Sequence, residues 1–351
     1  MKKIKLILFF LSIAKLSQAQ NVDLKQWQVY SENNEPLPMV EVGFAGKKSI
    51  HLDSKHSAII WNEEMNYKNF QIDLDIAGAV MSGIGFHAKD EQNYQFLYFR
   101  PGYGGTDEAI QYIPIFNGAL SWVFYNPPLY EKTADITAQK WFHATLEVKN
   151  NRLKVYVNDS KEAQMDIALL ETDRDRGSIL LRTLFGDSYF ANITITELPE
   201  TLIDWQISEQ FPSENPLSYK DFKVVKNWTS IKPTAGEYVN LAKYIVKPTG
   251  QAFAKTTIHS EKEKQGLLFF DFAGKLTIYL NGVVVFKYDK YMLDRLSSDN
   301  HSIVIKLNKG ENEILFLTEG DGFVFGKGFN SMGRSQHQNW GFVAHLAEKT
   351  P

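Results

Sequence analysis

Short runs of β-branched and aromatic residues, broken repeatedly by Gly, Asn, Asp and Pro, dominate the sequence from Val40 to about Glu197. Residues 70–76 (FQIDLDI) alternate apolar with polar side chains, as a strand does when one face meets a core and the other meets water. Further runs lie at 83–88, 94–100, 109–116, 122–125, 141–149, 152–158, 178–183 and 189–197. Sustained 3.6-residue periodicity is missing, apart from a short turn expected near 166–171. The pattern predicts an antiparallel sandwich. Asn150-Asn151, between two alternating runs, predicts a tight hairpin because Asn tolerates positive φ.

A second series of different flavour begins at Trp205, after Leu198-Pro199-Glu200 interrupts the last run. Its opening stretch carries Pro212, Pro216, Pro233 and Pro248 and is loop-rich. Strands are expected at 252–259, 266–272, 275–280, 283–286, 301–307, 312–318 and 340–346. Asn281-Gly282 is the strongest hairpin signal in the chain. The stretch 320–339, with five glycines, predicts a mobile loop before the closing strand. The expected organisation is a leader over 1–19, one β-sandwich over 20–200 and a second over 201–351.

The leader is read from Lys2, Lys3 and Lys5, a stretch at 6–14 that is apolar apart from Ser12, and the small residues of Ser17-Gln18-Ala19. A hydrocarbon core needs about 20 apolar residues, so this stretch is too short to stay as an anchor. Cleavage after Ala19 and a secreted or periplasmic protein, with no membrane insertion, are expected. The chain has no cysteine, which excludes disulfides, thiolate nucleophiles and cysteine-ligated metals. Core burial alone must hold it, and with 351 residues, 44% of them hydrophobic, two cores are affordable. A net charge of -3 gives no electrostatic case for nucleic acid. The sequons at Asn158, Asn192, Asn227 and Asn300 read as incidental, because the short lysine-rich leader looks bacterial.

Residues 83–105 (GIGFHAKDEQNYQFLYFRPGYGG), 108–122 (EAIQYIPIFNGALSW), the hairpin 141–159 and YFANITI at 189–195 resemble a laminin-G/concanavalin A-like lectin/glucanase domain. More narrowly they resemble the exported bacterial branch related to the 3-keto-disaccharide hydrolase domains. The second half, through LTIYLNGVVVF, LNKGENEILFL and WGFVAHL, resembles a galactose-binding-like jelly roll. The resemblance implies an all-β architecture of two jelly-roll sandwiches and a poly- or oligosaccharide partner. It also implies a calcium ion between loops, whose ligands the sequence does not place.

The chemistry-bearing candidates are weighed residue by residue. The paired-glutamate pattern E-x-D-x-x-E of many retaining glucanases is absent, and Asp73 and Asp75 read as a solvated strand face. His87, Tyr98 and Arg100 form the more interesting group, since Tyr94, Phe96, Tyr98 and Arg100 share one face by period-two alternation. That strand is apolar on both sides, so it is either central in a doubly covered sheet or an aromatic platform. Arg100 offers a forked donor to hydroxyls or carboxylate, unless it caps the strand end against Asp90 or Glu91. Gln111, Tyr112, Asn117 and Trp122 supply the amides and rings that line neutral sugar grooves; Asn117-Gly118 also reads as a turn, and Trp122 as core. Pro114 places its run at an edge or a bend. His259, His337 and His345 show no metal-ligand spacing, Gly-x-Ser-x-Gly is absent, and Gly102 to Gly105 read as a turn. The favoured function is glycan binding on the concave sheet of the first sandwich; alternatives are a glycoside hydrolase or an eliminative enzyme acting on an oxidised sugar, and a structural module of a surface complex.

Overall fold

The computed structural model describes residues 20–22, 24–122, 128–233, 237–245, 249–260, 262–292, 295–298, 300–320 and 340–348. The expected leader, most of the run 122–125, the glycine-rich loop and His337 lie outside the described residues. The chain divides into two compact units, Met1–Leu198 and Pro199–Pro351.

The main strands of the first unit are β1 (Val40–Phe44), β2 (Lys47–Leu52), β3 (Ile59–Trp61), β4 (Phe70–Gly78), β5 (Met81–Asp90), β6 (Asn93–Phe99), β7 (Ile110–Phe116), β8 (Phe142–Lys149), β9 (Arg152–Val157), β10 (Met165–Ala168), β11 (Ser178–Leu184) and β12 (Ser188–Glu197). They form two antiparallel sheets. The first runs β10-β9-β8-β4-β12-β2-β1, and the second has β7-β6-β5-β11-β3 at its centre with two-residue and three-residue strands at its margins. Alternation builds both. In β8 every second side chain from Phe142 to Val148 is buried, and Phe70, Ile72, Leu74 and Ile76 of β4 enter the same core. Facing them are Ile84, Phe86, Leu97, Phe99, Ile110, Tyr112, Ile179 and Leu181 of the second sheet.

Three sequence expectations resolve through pairing. Asn150 and Asn151 both take positive φ, 51° and 58°, closing the β8–β9 hairpin. Pro114 faces Gln95 of β6, while the short strands on the other side of β7 meet it at Ile115–Phe116 and at Ile110–Gln111. Neither reaches Pro114, so no ladder bond is lost there to its missing N–H. The first half of the turn expected at 166–171 is instead strand: β10 pairs Ala168 with Arg152, Asp166 with Lys154 and Met165 with Val155. Met165 and Ile167 are needed in the core, and the tertiary contact overrides the local turn signal.

The second sheet carries a second apolar layer on its outer face: Tyr94, Phe96 and Tyr98 of β6, Ile113 and Ile115 of β7, Leu180 and Leu184 of β11, with Ile59, Trp61, Met81 and Ala88. Two glycines of β5 make it possible. A Cβ on Gly83 would stand 2.2 Å from the Phe96 ring, and one on Gly85 would stand 2.5 Å from Leu180 Cδ1. The side chains of β6 and β11 therefore lie flat across a bare strip of backbone.

In the second unit the strands are β13 (Trp205–Ser208), β14 (Trp228–Ile231), β15 (Gly250–Ser260), β16 (Lys264–Leu280), β17 (Val283–Met292), β18 (His301–Leu307), β19 (Gly310–Gly320) and β20 (Gly341–Glu348). The runs expected at 266–272 and 275–280 are one strand, β16. Its first half pairs with β18 and β20 and its second half with β17 and β19. Gly274, at φ 95°, is where it changes partners, because a Cβ there would fall 2.1 Å from Glu319 O. Asn281 and Gly282 take positive φ, 49° and 83°, and close the β16–β17 hairpin. The core collects around Trp205, Phe270, Phe272, Ile278, Phe316, Trp340 and Phe342.

Gly83→Ala is expected to destabilise the protein by about 1–3 kcal/mol through overpacking against Phe96, read as a lower urea midpoint at unchanged m-value.

Candidate functional site

The seven residues singled out from the sequence fall into two groups on opposite faces of the second sheet, with Asn117 in neither. On the outer face, Gln111 is the cross-strand partner of Tyr98, and its amide donates to Glu131 Oε1 at 2.7 Å. Tyr98 is completely buried, so it offers no stacking surface to a sugar. Its hydroxyl instead accepts a hydrogen bond from Trp122 Nε1 at 2.6 Å. Trp122 is 41% exposed, which separates it from the core assignment. Arg100 pairs with Glu108 rather than Asp90 or Glu91, and its guanidinium lies 3.8 Å from the centre of the Tyr103 ring. The aromatic row Tyr94, Phe96 and Tyr98 is thus a buried support, and the exposed ring it holds is Trp122.

Arg182, the cross-strand partner of Gly83, is 5% exposed on this same sheet. Its Nη1 donates to Tyr94 Oη, and its Nε has no hydrogen-bond partner.

His87 and Tyr112 point elsewhere. His87 sits in a bulge of β5 with φ 48° and is 1% exposed. Its Nε2 lies 2.9 Å from Lys68 O, so this nitrogen carries the proton, and its Nδ1 accepts from Gln95 Nε2 at 3.3 Å. The Tyr112 hydroxyl donates to Gln95 Oε1 and accepts from Leu170 N at 3.1 Å. Gln95 also reaches Glu171 O at 3.2 Å. This buried chain of polar groups pins the segment after β10 to the sheet, and no member of it faces solvent. Burial pushes the His87 imidazole down to about 4, against the Lys68 carbonyl and Asp175, which act to raise it. Burial likewise raises the Tyr112 phenol. Asn117 has φ 52° and its N–H donates to Asn93 Oδ1 at 3.1 Å, which makes it the turn residue of β7.

Sequence reasoning passed over the outer face of the first sheet. Asp75 there is 7% exposed rather than solvated. Its Oδ2 accepts from Lys47 Nζ at 2.6 Å and Asn192 Nδ2 at 2.5 Å, and its Oδ1 lies 3.0 Å from His143 Nδ1. Burial acts to raise the Asp75 carboxyl, but the hydrogen bonds from Lys47, His143 and Asn192 and the charge of Lys47 outweigh it and leave it below the usual range. His143 Nε2 is 3.5 Å from Thr145 Oγ1 and 3.9 Å from Asp73 Oδ1. Register explains the cluster: His143 faces Asp75, and Thr145 faces Asp73. The signal was available in FHATLEVK beside FQIDLDI, but only strand pairing shows that the two polar faces coincide.

Of the other candidates, Gly104 packs so closely that a Cβ would meet Ile136 O at 1.7 Å, consistent with a turn. His259 pairs with Glu311, and His345 lies 2.9 Å from Glu237, so the two share no ligand sphere. Among the described residues, no group of three or more His, Asp or Glu is arranged to hold a metal ion.

His87 gives a pH test. Its folded pKa lies below the ordinary value of 6.5, so the unfolded chain binds the proton first. Stability should therefore fall as pH drops from about 6.5 to about 4, by on the order of 3 kcal/mol from this residue. Urea midpoints of His87→Asn measured over the same interval should show a flatter slope, whatever its absolute stability.

No curated protein matches the chain. Solved structures similar to it include the carbohydrate-binding module CBM66 from Bacillus subtilis, 17% identical with a TM-score of 0.38, the alignment covering 49% of this chain and 96% of that one. A protein with a galectin-like fold from Bacillus subtilis is 10% identical, with a TM-score of 0.36 and coverages of 50% and 90%. Domain 4 of AbnA, an extracellular arabinanase from Geobacillus stearothermophilus solved with arabinotriose, is 15% identical, with a TM-score of 0.32 and coverages of 49% and 82%. The family described as a 3-keto-alpha-glucoside-1,2-lyase-like domain matches residues 19–196, just over half of the chain, and the protein belongs to that family.

Proposed function

We propose that this is an exported glycan-binding protein whose first sandwich holds a saccharide at the corner of the second sheet around Trp122. The observation that carries the reading is the state of that indole. It is 41% exposed, yet its Nε1 is fixed by the hydroxyl of a completely buried tyrosine. A ring immobilised from below and open above loses little entropy when a sugar stacks on it. Glu131, held by the buried Gln111 amide, and Arg100, stacked on Tyr103 and paired with Glu108, supply carboxylate and guanidinium groups for hydroxyls. Stacking contributes on the order of 1 kcal/mol, so binding would be multivalent along a chain rather than tight at one ring.

Trp122→Ala gives up a part-exposed ring and its bond to Tyr98, so its fold is checked first by urea denaturation; the folded variant should lose about fivefold to tenfold in retention on a glycan array. Retention of no polysaccharide by the unaltered protein, or equal retention by the variant, would overturn the reading.

A second reading, eliminative cleavage of a 3-keto-glycoside, is favoured by the Asp75–His143 pair together with the family. With Nδ1–H directed at Asp75, the lone pair falls on His143 Nε2, which would act as the base beside Thr145 and Asp73. It would take the proton from C2, next to the ketone. The C–H electron pair becomes the C1–C2 double bond, and the aglycone leaves with the C1–O pair and is protonated as an alcohol. Incubation with a nitrophenyl 3-keto-α-glucoside separates the readings. Nitrophenol release together with the C1–C2 unsaturated 3-keto sugar, both lost in a folded His143→Gln variant, establishes elimination; release with a saturated 3-keto sugar establishes hydrolysis, and no release leaves binding without cleavage.

A further inference from the structure

The segment pinned by Gln95 and Tyr112 forms one wall of an open cleft of about 560 Å³. Its lining includes Lys89 of β5 and, from that segment, Glu171, Asp173, Arg174, Arg176 and Gly177. Three cations and two carboxylates therefore face one cleft, in a chain whose net charge is -3.

The acidic groups are partly committed to the protein itself. Glu171 Oε1 accepts from the backbone N–H of Asp173 at 2.9 Å. The neighbouring Asp175 is bound to Lys68 at 2.9 Å and does not add free negative charge. Burial acts to raise the Asp175 carboxyl, but its bond to Lys68 and the charges of Lys68, Arg176 and His87 outweigh it and leave it below the usual range. On the cationic side, Arg174 is oriented by a bond from Nη1 to Asn93 O at 2.6 Å, an uncharged partner that positions the guanidinium without neutralising it. Lys89 is exposed at the rim. Gly177 presses the wall onto β5, since a Cβ there would fall 2.5 Å from Ala88 O. Arg174 and Arg176 are thus presented by a segment held in place, and Lys89 by a sheet strand, before any ligand arrives, the condition under which charge-assisted bonds add most to affinity.

We infer that this cleft receives a carboxylate of an acidic saccharide, with Lys89 and Arg174 as its principal contacts. The inference rests on the glycan-binding reading and names the class of sugar: a uronate-containing chain. A volume of about 560 Å³ suits one or two sugar rings.

The experiment is isothermal titration of the full chain with an oligogalacturonate and with its methyl ester, which keeps the skeleton and removes the charge. The free acid should bind about tenfold more tightly at low salt, and the advantage should shrink as salt is raised. Lys89→Gln, an exposed change that spares the fold, and Arg174→Gln should each reduce that preference. Equal affinity for acid and ester, or a preference that survives both substitutions, overturns the inference while leaving the Trp122 site intact. So does binding of a neutral glycan, lost in Trp122→Ala, with no binding of either galacturonate probe. Absence of all saccharide binding overturns both.

Discussion

The double-sided burial of β6 is the constraint on which the first sandwich depends. Leu97 and Phe99 enter the core between the sheets, while Tyr94, Phe96 and Tyr98 pack on the other side, all at 1% exposure or less. A strand covered on both faces needs a neighbour that leaves room, and Gly83 and Gly85 of β5 provide it. The aromatic ladder is therefore paid for in backbone smoothness, and what it delivers to the surface is a single well-supported indole. Burying rings on this scale contributes several kcal/mol, which matters in a chain with no disulfide to limit its unfolded state.

Polar groups inside this sandwich are organised around the same strand. Gln95, between Tyr94 and Phe96, is 2% exposed and bonds to His87, Tyr112 and Glu171. A buried amide left without partners would be costly, so the network forces the segment after β10 into one position. That position in turn builds the basic cleft. Stability and the proposed ligand contact are linked through one side chain: His87 stays neutral because it is buried, and it is buried because the segment carrying Arg174 and Arg176 closes near it.

The two sheets also differ in chemistry. The outer face of the second is apolar and aromatic, with Arg182 held by the Tyr94 hydroxyl as its buried cation. The first turns outward Asp73, Asp75, His143, Thr145 and Lys47, a polar layer in which each carboxylate has a donor. The two proposed readings accordingly rest on different surfaces: glycan binding on the exposed Trp122 beside the buried aromatic layer, and elimination on the Asp75–His143 pair of the polar layer.

Much of the fold was legible in the chain. The period-two runs, the hairpin residues Asn150-Asn151 and Asn281-Gly282, and the change of flavour near Pro199 all act locally, so they can be read in order. Less of the site was. Alternation grouped Tyr98 with Tyr94 and Phe96 correctly, but exposure is set by what packs above a residue. Tyr98 is closed and Trp122 is open, while His87 and Tyr112 belong to the opposite side of the sheet. The joining of 266–272 and 275–280 into one strand depended on partners far along the chain, as did the meeting of Asp75 with His143 and of Lys89 with Arg174. Local backbone preference fixed where strands and turns lie; long-range register and layering decided which side chains meet each other and which meet water.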